Sequence, residues 1–409
     1  MKNTKTGWML KKKCINITMN KIKNKKVVVA MSGGVDSSVA AALLKKAAKP
    51  KDFEKIFGRP TPKEFRGFSV IGVFMKFWHG AGIGENKCCS TESEKRARKV
   101  AEVLKIPFYV FNFEKEFKKR VIKYFLDECQ KGVTPNPCVV CNKEIKFGLL
   151  LEKALALDVN YVATGHYARI KSSANSEYIT NKRIRRFENS WRIRYSLIKA
   201  QDKEKDQSYF LWKLNQNQLS KVLFPVGNYT RSEVEAMARK FKLPVLSARK
   251  SVEICFIPKT IEDFLKKYLK EKPGRIINKD GKVLGKHSGL WFYTIGQRKG
   301  IKLAGGPYYV IAKDFRNNIL IVSKNKKDLA KKELFAKDIN WIAGKAPKLP
   351  FKIKSKIRYR HEAVPATLYK LRTKNYKLIF QKSQFAITPG QSVVFLKGDE
   401  LLGGGIIER

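Results

Sequence analysis

Apolar and polar positions follow two different textures along the chain. In the first, short apolar runs stand between amphipathic stretches. Lys26 to Met31 (KVVVAM), Phe68 to Phe77, Phe108 to Phe113 and Tyr161 to Thr164 read as buried strands. Val39 to Lys46, rich in Ala and Leu, reads as a helix. A capping box at Thr91-x-x-Glu94 opens a second helix, which runs through Leu104 and stops before Pro107. Glu114 to Gln130 and Ile145 to Leu157 are also helical. Residues 49–67 carry Pro50, Pro60 and Pro62 and read as a surface excursion. Strands alternating with helices predict an α/β domain built on a parallel sheet. From about Gly274 the pattern shifts to short β-rich runs between Gly turns, such as Tyr308 to Ala312, Ile319 to Val322, Ser392 to Leu396 and Leu401 to Ile407. The expected organisation is an α/β catalytic domain at 26–262, a small β-rich central domain at 263–328 and a C-terminal β-barrel at 329–409. A basic disordered tail at 1–25 precedes them.

Composition narrows the class. The chain has 409 residues, enough for about two to four domains. A hydrophobic share of 43% excludes wholesale disorder, and no apolar run reaches the roughly 18 residues of a membrane span. Lys+Arg number 86 against 35 Asp+Glu, a net charge of +51 that favours polyanions, nucleic acid above all. The excess is mostly Lys and is spread along the chain, which solvated faces alone also produce. The first 26 residues hold nine lysines and no acidic residue, without the apolar core of a signal peptide. They read as a tail or a nucleic-acid-binding arm, and Met19 is an alternative start to Met1. Seven cysteines are too few for a disulfide scaffold and point to thiol chemistry in a reducing, cytoplasmic setting.

The strongest local signal is Ser32-Gly33-Gly34-Val35-Asp36-Ser37-Ser38 between a strand and a helix. Two glycines let the backbone turn sharply and approach a ligand, and N–H groups at a helix N-terminus suit an anion. No Gly-Lys-Ser/Thr follows, so this is not a Walker loop. The string resembles the pyrophosphate loop (PP-loop) of the ATP pyrophosphatase superfamily, whose members cleave ATP to AMP and pyrophosphate while adenylating an oxygen. In such a loop Asp36 would hold Mg²⁺ against the phosphates.

The cysteines supply the second signal. In Thr134-Pro135-Asn136-Pro137-Cys138-Val139-Val140-Cys141 two prolines keep the chain extended, and both thiols fall near a helix start, where the dipole lowers a thiol pKa. Cys255 lies in the apolar run Ile254-Cys255-Phe256-Ile257, and alone it reads as a buried structural thiol. A zinc half-site at Cys138 and Cys141 is the competing reading, but the chain has four His and no second Cys-x-x-Cys to close it.

Taken in order, these strings make the chain resemble the tRNA-specific 2-thiouridylase family from residue 26 to 409. Others that carry the resemblance are Ala163-Thr164-Gly165-His166-Tyr167, Asp206-Gln207-Ser208-Tyr209-Phe210-Leu211, Phe224-Pro225-Val226-Gly227, Thr294-Ile295-Gly296-Gln297-Arg298-Lys299-Gly300 and Thr388-Pro389-Gly390-Gln391. The resemblance implies a tRNA-uridine 2-sulfurtransferase. ATP adenylates the 2-oxygen of the wobble uridine, and a cysteine persulfide at Cys255 then attacks carbon 2. A sulfur-carrier protein or cysteine desulfurase would load that persulfide. Cys141 would release the sulfur and finish as a disulfide with Cys255. The resemblance further implies nucleotide contacts from Ala30, Met31, Ser32, Gly33, Gly34, Val35, Asp36, Ser37, Met75 and Gly165. Target-base or tRNA contacts would come from Asn136, Pro137, Cys138, His166, Lys205, Asp206, Gln207, Arg358, Tyr359 and Gln391. Many family members carry Asp where this chain has Cys138. The substitution opens an alternative in which Cys138, Cys141 and Cys255 hold a 4Fe–4S cluster. Two readings of other classes stay open, an adenylating ligase of small molecules and a non-catalytic RNA-binding protein.

Overall fold

A computed structural model describes residues 25–57, 61, 65–78, 89–173, 194–246, 254–257, 260–373 and 375–408. Residues 1–24 of the expected basic tail lie outside them, and Lys25 opens the first strand. Five parallel strands form the first sheet, in the spatial order Phe108–Asn112, Phe68–Lys76, Lys25–Ala30, Tyr161–Thr164, Val222–Leu223. The middle strand is apolar on both faces because helices cover both, and Val27 and Val29 are fully buried. The chain first winds one way from this strand and then returns to its other side with Tyr161–Thr164. Strand order therefore reverses between Lys25–Ala30 and Tyr161–Thr164, and the crevice outside their carboxyl ends is where open α/β sheets bind ligands.

Two local expectations are corrected. Within 49–67 the described residues include a helix rather than an irregular excursion. Pro50 opens the helix Pro50–Phe57, a position where its missing N–H costs nothing. Phe53, Ile56 and Phe57 form an apolar face that packs against Phe65 and Phe68, with the Phe53 and Phe65 rings 5.1 Å apart. The helix Thr91–Leu104 is capped one residue earlier than the capping box implied, by Ser90, whose hydroxyl accepts from the Ser93 N–H at 3.2 Å. Glu94 instead pairs with Lys76 and Arg98, each at 3.0 Å.

The central domain is a four-stranded sheet of Tyr309–Asp314, Ile319–Ser323, Gly274–Ile277 and Val283–His287. The C-terminal strands Ala330–Trp341, Tyr376–Phe385, Val364–Lys370, Phe351–Lys356, Ser392–Lys397 and Glu400–Ile407 pair in that order and close back on the first. The result is a closed six-stranded barrel filled by Leu334, Leu368, Leu378, Phe380, Val393 and Phe395. Closure removes the sheet edges, with one extension. The hairpin Arg169–Ser172/Tyr195–Ile198 of the first domain pairs with Glu400–Ile407, placing Leu197 opposite Leu401. The fold is thus a PP-loop-type α/β domain, a small β domain and a β-barrel in contact.

Candidate active site

The carboxyl end of Lys25–Ala30 runs into the glycine loop. Gly33 takes φ +72°, and a Cβ there would sit 2.2 Å from the Ser93 carbonyl oxygen, so only glycine fits. The next helix, Val35–Lys46, starts after Gly34 without a side-chain cap. Its first-turn N–H groups are therefore not consumed by a capping side chain. The Ser37 hydroxyl stabilises the loop from inside, accepting from the Ser32 N–H at 3.1 Å and lying 3.2 Å from the Ser32 hydroxyl. Arg96 fixes the far side by donating from Nε to the Gly33 carbonyl at 3.2 Å. Ala30, Met31 and Val35 are buried and shape the loop from beneath.

The neighbouring strand ends against the same helix. A side chain at Gly165 would strike the Ser37 nitrogen at 2.6 Å, so Gly165 permits the close approach. Met75 is the penultimate residue of the strand Phe68–Lys76 on the other flank, with its side chain buried. Asp36 is held by two residues that sequence reasoning did not assign. Its Oδ1 accepts from the Tyr167 hydroxyl at 2.8 Å and from Arg231 at 2.5 Å. Burial alone would lower the Arg231 pKa, but the Asp36 carboxylate and the hydrogen bond to Glu235 push it up. Burial and the same carboxylate push the Tyr167 phenol up. The readable signal for Arg231 was the capping box Thr230-x-x-Glu233, which makes Arg231 the first residue of the helix Arg231–Lys240. One carboxylate beside hydroxyls and a phosphate-shaped loop fits Mg²⁺, which takes most of its ligands from water and phosphate. Asp36 would be its protein ligand.

Cys138 and Cys141 lie on the helix that begins at Pro137, with Cys138 half-buried and Cys141 buried. Asn136, at the helix start, is buried and hydrogen-bonds the Tyr209 phenol. Cys255 is half-buried and belongs to the same apolar cluster as Cys141. Its neighbour Phe256 packs on Phe117 and Phe125, with ring centroids 5.9 and 5.6 Å away, so it rests on the continuous helical stretch from Glu114 to Gln130. Among the described residues no three His, Cys, Asp or Glu side chains stand close enough to hold a metal ion. The alternative in which Cys138, Cys141 and Cys255 hold a 4Fe–4S cluster therefore gains no support from a ligand grouping among the described residues. Cys129 is a structural thiol, and its burial raises the pKa to about 12.

The remaining expected contacts divide. His166 lies between the rings of Phe147 and Phe224 and bonds Thr164 Oγ1 at 2.7 Å. Burial, then the charge of Lys146, holds its pKa well below the usual range. Lys205 is exposed. Asp206 is not. It accepts from the N–H groups of Ala200 and Ser208 and from the Ser208 hydroxyl, so its carboxylate serves its own loop rather than an external ligand. Gln207 likewise accepts from the Tyr167 N–H at 3.0 Å. Arg358 donates to the Ala386 carbonyl and Thr388 Oγ1, and no carboxylate among the described residues pairs with it. Tyr359 packs on Phe210 at 4.6 Å, which occupies one ring face. Gln391, expected at the tRNA, spends its amide on the backbone of Thr134 and Pro135.

The chain matches three family models: a tRNA methyl transferase HUP domain at residues 25–57 and 63–259, a tRNA methyl transferase PRC-barrel domain at 262–324, and an aminomethyltransferase beta-barrel domain at 331–407. The chain is 43% identical over 401 residues to tRNA-specific 2-thiouridylase MnmA 2 of Clostridium tetani, covering 95% of this chain and 100% of the relative. It is 44% identical over 394 residues to MnmA 1 of Caldanaerobacter subterraneus subsp. tengcongensis, covering 94% and 98%, and 41% identical over 392 residues to MnmA of Clostridioides difficile, covering 94% and 99%. With its phosphate loop at the switch point, its three domains and this end-to-end identity, the chain belongs to the tRNA-specific 2-thiouridylase family.

Proposed function

We propose that this protein is a tRNA-uridine 2-sulfurtransferase acting on the wobble uridine. The observation that carries the reading is an uncapped, glycine-lined helix N-terminus at the sheet's switch point, in a chain that also carries a half-buried thiol at Cys255 and a buried one at Cys141. Two of the family models are named for methyl transfer, but such an anion cradle and cysteine thiols suit adenylation followed by thiol attack.

ATP binds with its phosphates at the Ser32–Ser37 loop, where Asp36 would hold Mg²⁺ to neutralise phosphate charge. The uracil 2-oxygen attacks the α-phosphorus, pyrophosphate leaves, and the uracil N3 proton is lost. The terminal sulfur of a Cys255 persulfide attacks carbon 2 and AMP departs with the original oxygen. Cys141, as thiolate, attacks the Cys255 sulfur, the S–S bond to the transferred sulfur breaks, and 2-thiouridine regains its N3 proton. The Cys141–Cys255 disulfide is then reduced by an external thiol. A sulfur-carrier protein or cysteine desulfurase supplies the persulfide, which places the reaction in the reducing cytoplasm. No described helix is long and apolar enough to cross a membrane. Lys205 and the half-buried Arg358, a cation without a carboxylate partner among the described residues, suit tRNA phosphates. Asn136, Pro137, Cys138 and His166 line the approach to the base.

Transfer of the label from tRNA carrying ¹⁸O at the uridine 2-position tests this route. The label is expected in AMP. Label left in tRNA or released as water would overturn adenylation of the base.

A further inference from the structure

An aspartate in the first turn of a helix ordinarily folds back on the helix's own N–H groups, which attract it both as donors and through the dipole. Asp36 sits in that turn, beside the N–H groups that would receive phosphate. Its carboxylate nevertheless points away. Both of its hydrogen bonds fall on Oδ1, from the Tyr167 hydroxyl at 2.8 Å and from Arg231 at 2.5 Å. Arg231 is itself fixed, with Nε donating to Glu235 at 2.7 Å and the backbone N–H donating to Asp202 at 2.9 Å. The Asp36 and Arg231 side chains are only about a third exposed, which limits solvent screening of the pair.

We infer that Arg231 is a positioning residue that keeps Asp36 out of the phosphate cradle. Holding the carboxylate aside, it leaves the helix N–H groups to the nucleotide and presents Asp36 to the metal. Without Arg231, Asp36 turns inward as a resident anion and competes with ATP. The inference rests on the reading that this loop binds ATP. It differs from a direct Arg231–phosphate contact, because Arg231 acts only through Asp36.

A double-mutant cycle on the full chain separates these cases, with ATP binding measured at equilibrium in EDTA so that the metal plays no part. Arg231→Gln in the Asp36 background is expected to weaken ATP binding at least about fivefold, the size of one charge at about 4 Å in bulk water and a lower bound near a protein surface. In the Asp36→Asn background the same change is expected to cost nothing. Tyr167→Phe, which removes only a hydroxyl, should show the same dependence with a smaller effect, and Arg231→Lys should retain most affinity. An equal loss in both backgrounds would overturn the inference in favour of direct phosphate contact, and no loss in either would overturn it outright. A wild-type protein that does not bind ATP contradicts the ATP-loop reading instead.

Discussion

The side-chain amide of Gln391 donates to the Thr134 carbonyl at 2.8 Å and reaches the Pro135 carbonyl at 3.4 Å, joining the C-terminal barrel to the segment that leads into Cys138 and Cys141. The clamp has further parts. The Thr134 N–H donates to the Pro389 carbonyl at 2.8 Å, and the Thr134 hydroxyl lies 3.2 Å from that of Thr294 in the central domain. Gly390 takes φ +89°, and a Cβ there would fall 2.9 Å from the Thr134 nitrogen. All three domains therefore meet at one residue, two positions before the Asn136 that starts the cysteine helix.

Gln391→Ala should accordingly lower thiolation more than it lowers tRNA affinity. It leaves two backbone acceptors unmatched, a cost of about 1–3 kcal/mol where they are buried. Gln391→Glu should be worse, since a carboxylate cannot donate to either carbonyl. Turnover and tRNA affinity measured side by side check this. Equal losses in both would assign Gln391 to tRNA instead.

Gly165→Ala is expected to disable the nucleotide site while leaving the barrel intact. The added methyl would meet the Ser37 nitrogen at 2.6 Å and Asp36 backbone at 2.7 Å, so the helix start must shift. Displacement of catalytic groups by about 1 Å costs on the order of 100-fold in rate. ATP titration and unfolding of the variant report the two effects separately.

Much of this architecture could be read from the chain. The buried runs at Lys26 to Met31, Phe68 to Phe77 and Tyr161 to Thr164 became sheet strands because both faces are covered by helices, which makes apolar continuity a strong signal. The glycine string marked the loop because a positive φ at Gly33 demands glycine. The missed features depend on partners distant in sequence. The proline spacing around 49–67 masked a helix whose Phe53, Ile56 and Phe57 stripe was legible on its own. Arg231 is 195 residues from Asp36, and nothing local marks the pair. Asp206 and Gln207 have the polarity of ligand-binding residues, yet a loop that folds onto itself uses them. Sequence does not distinguish a polar side chain at a domain junction, where Gln391 stands, from one at an RNA surface.

Acidification should weaken the fold through His166. Burial and Lys146 depress its pKa in the folded protein, whereas the unfolded chain binds a proton below about pH 6.5. The unfolded state then holds more protons, so stability is lost as pH falls below that value, at up to about 1.4 kcal/mol per pH unit for one group. His287 is buried and depressed in the same direction. Urea unfolding of the wild type and His166→Asn at pH 5.5 and 7.5 isolates the His166 part. A smaller pH effect is expected in the variant, and an unchanged one contradicts the assignment.

Cys255→Ser and Cys141→Ser should each lower thiolation by more than about 10³-fold, as removal of a reacting group does. Cys255→Ser should still release pyrophosphate when tRNA is present, because adenylation precedes sulfur transfer. Cys138→Ser separates the two sulfur routes. Retained activity in an iron-free Cys138→Ser protein agrees with the persulfide, and loss of activity together with bound iron contradicts it.

The central claim is tested most directly by incubating the purified protein, without oxygen, with unmodified tRNA, ATP, Mg²⁺ and a persulfide-loaded sulfur donor, then quantifying modified nucleosides and AMP. The account predicts 2-thiouridine at the wobble position and AMP in equal amounts, both absent when ATP is omitted. A methylated nucleoside in its place, or AMP formation indifferent to tRNA, would contradict it.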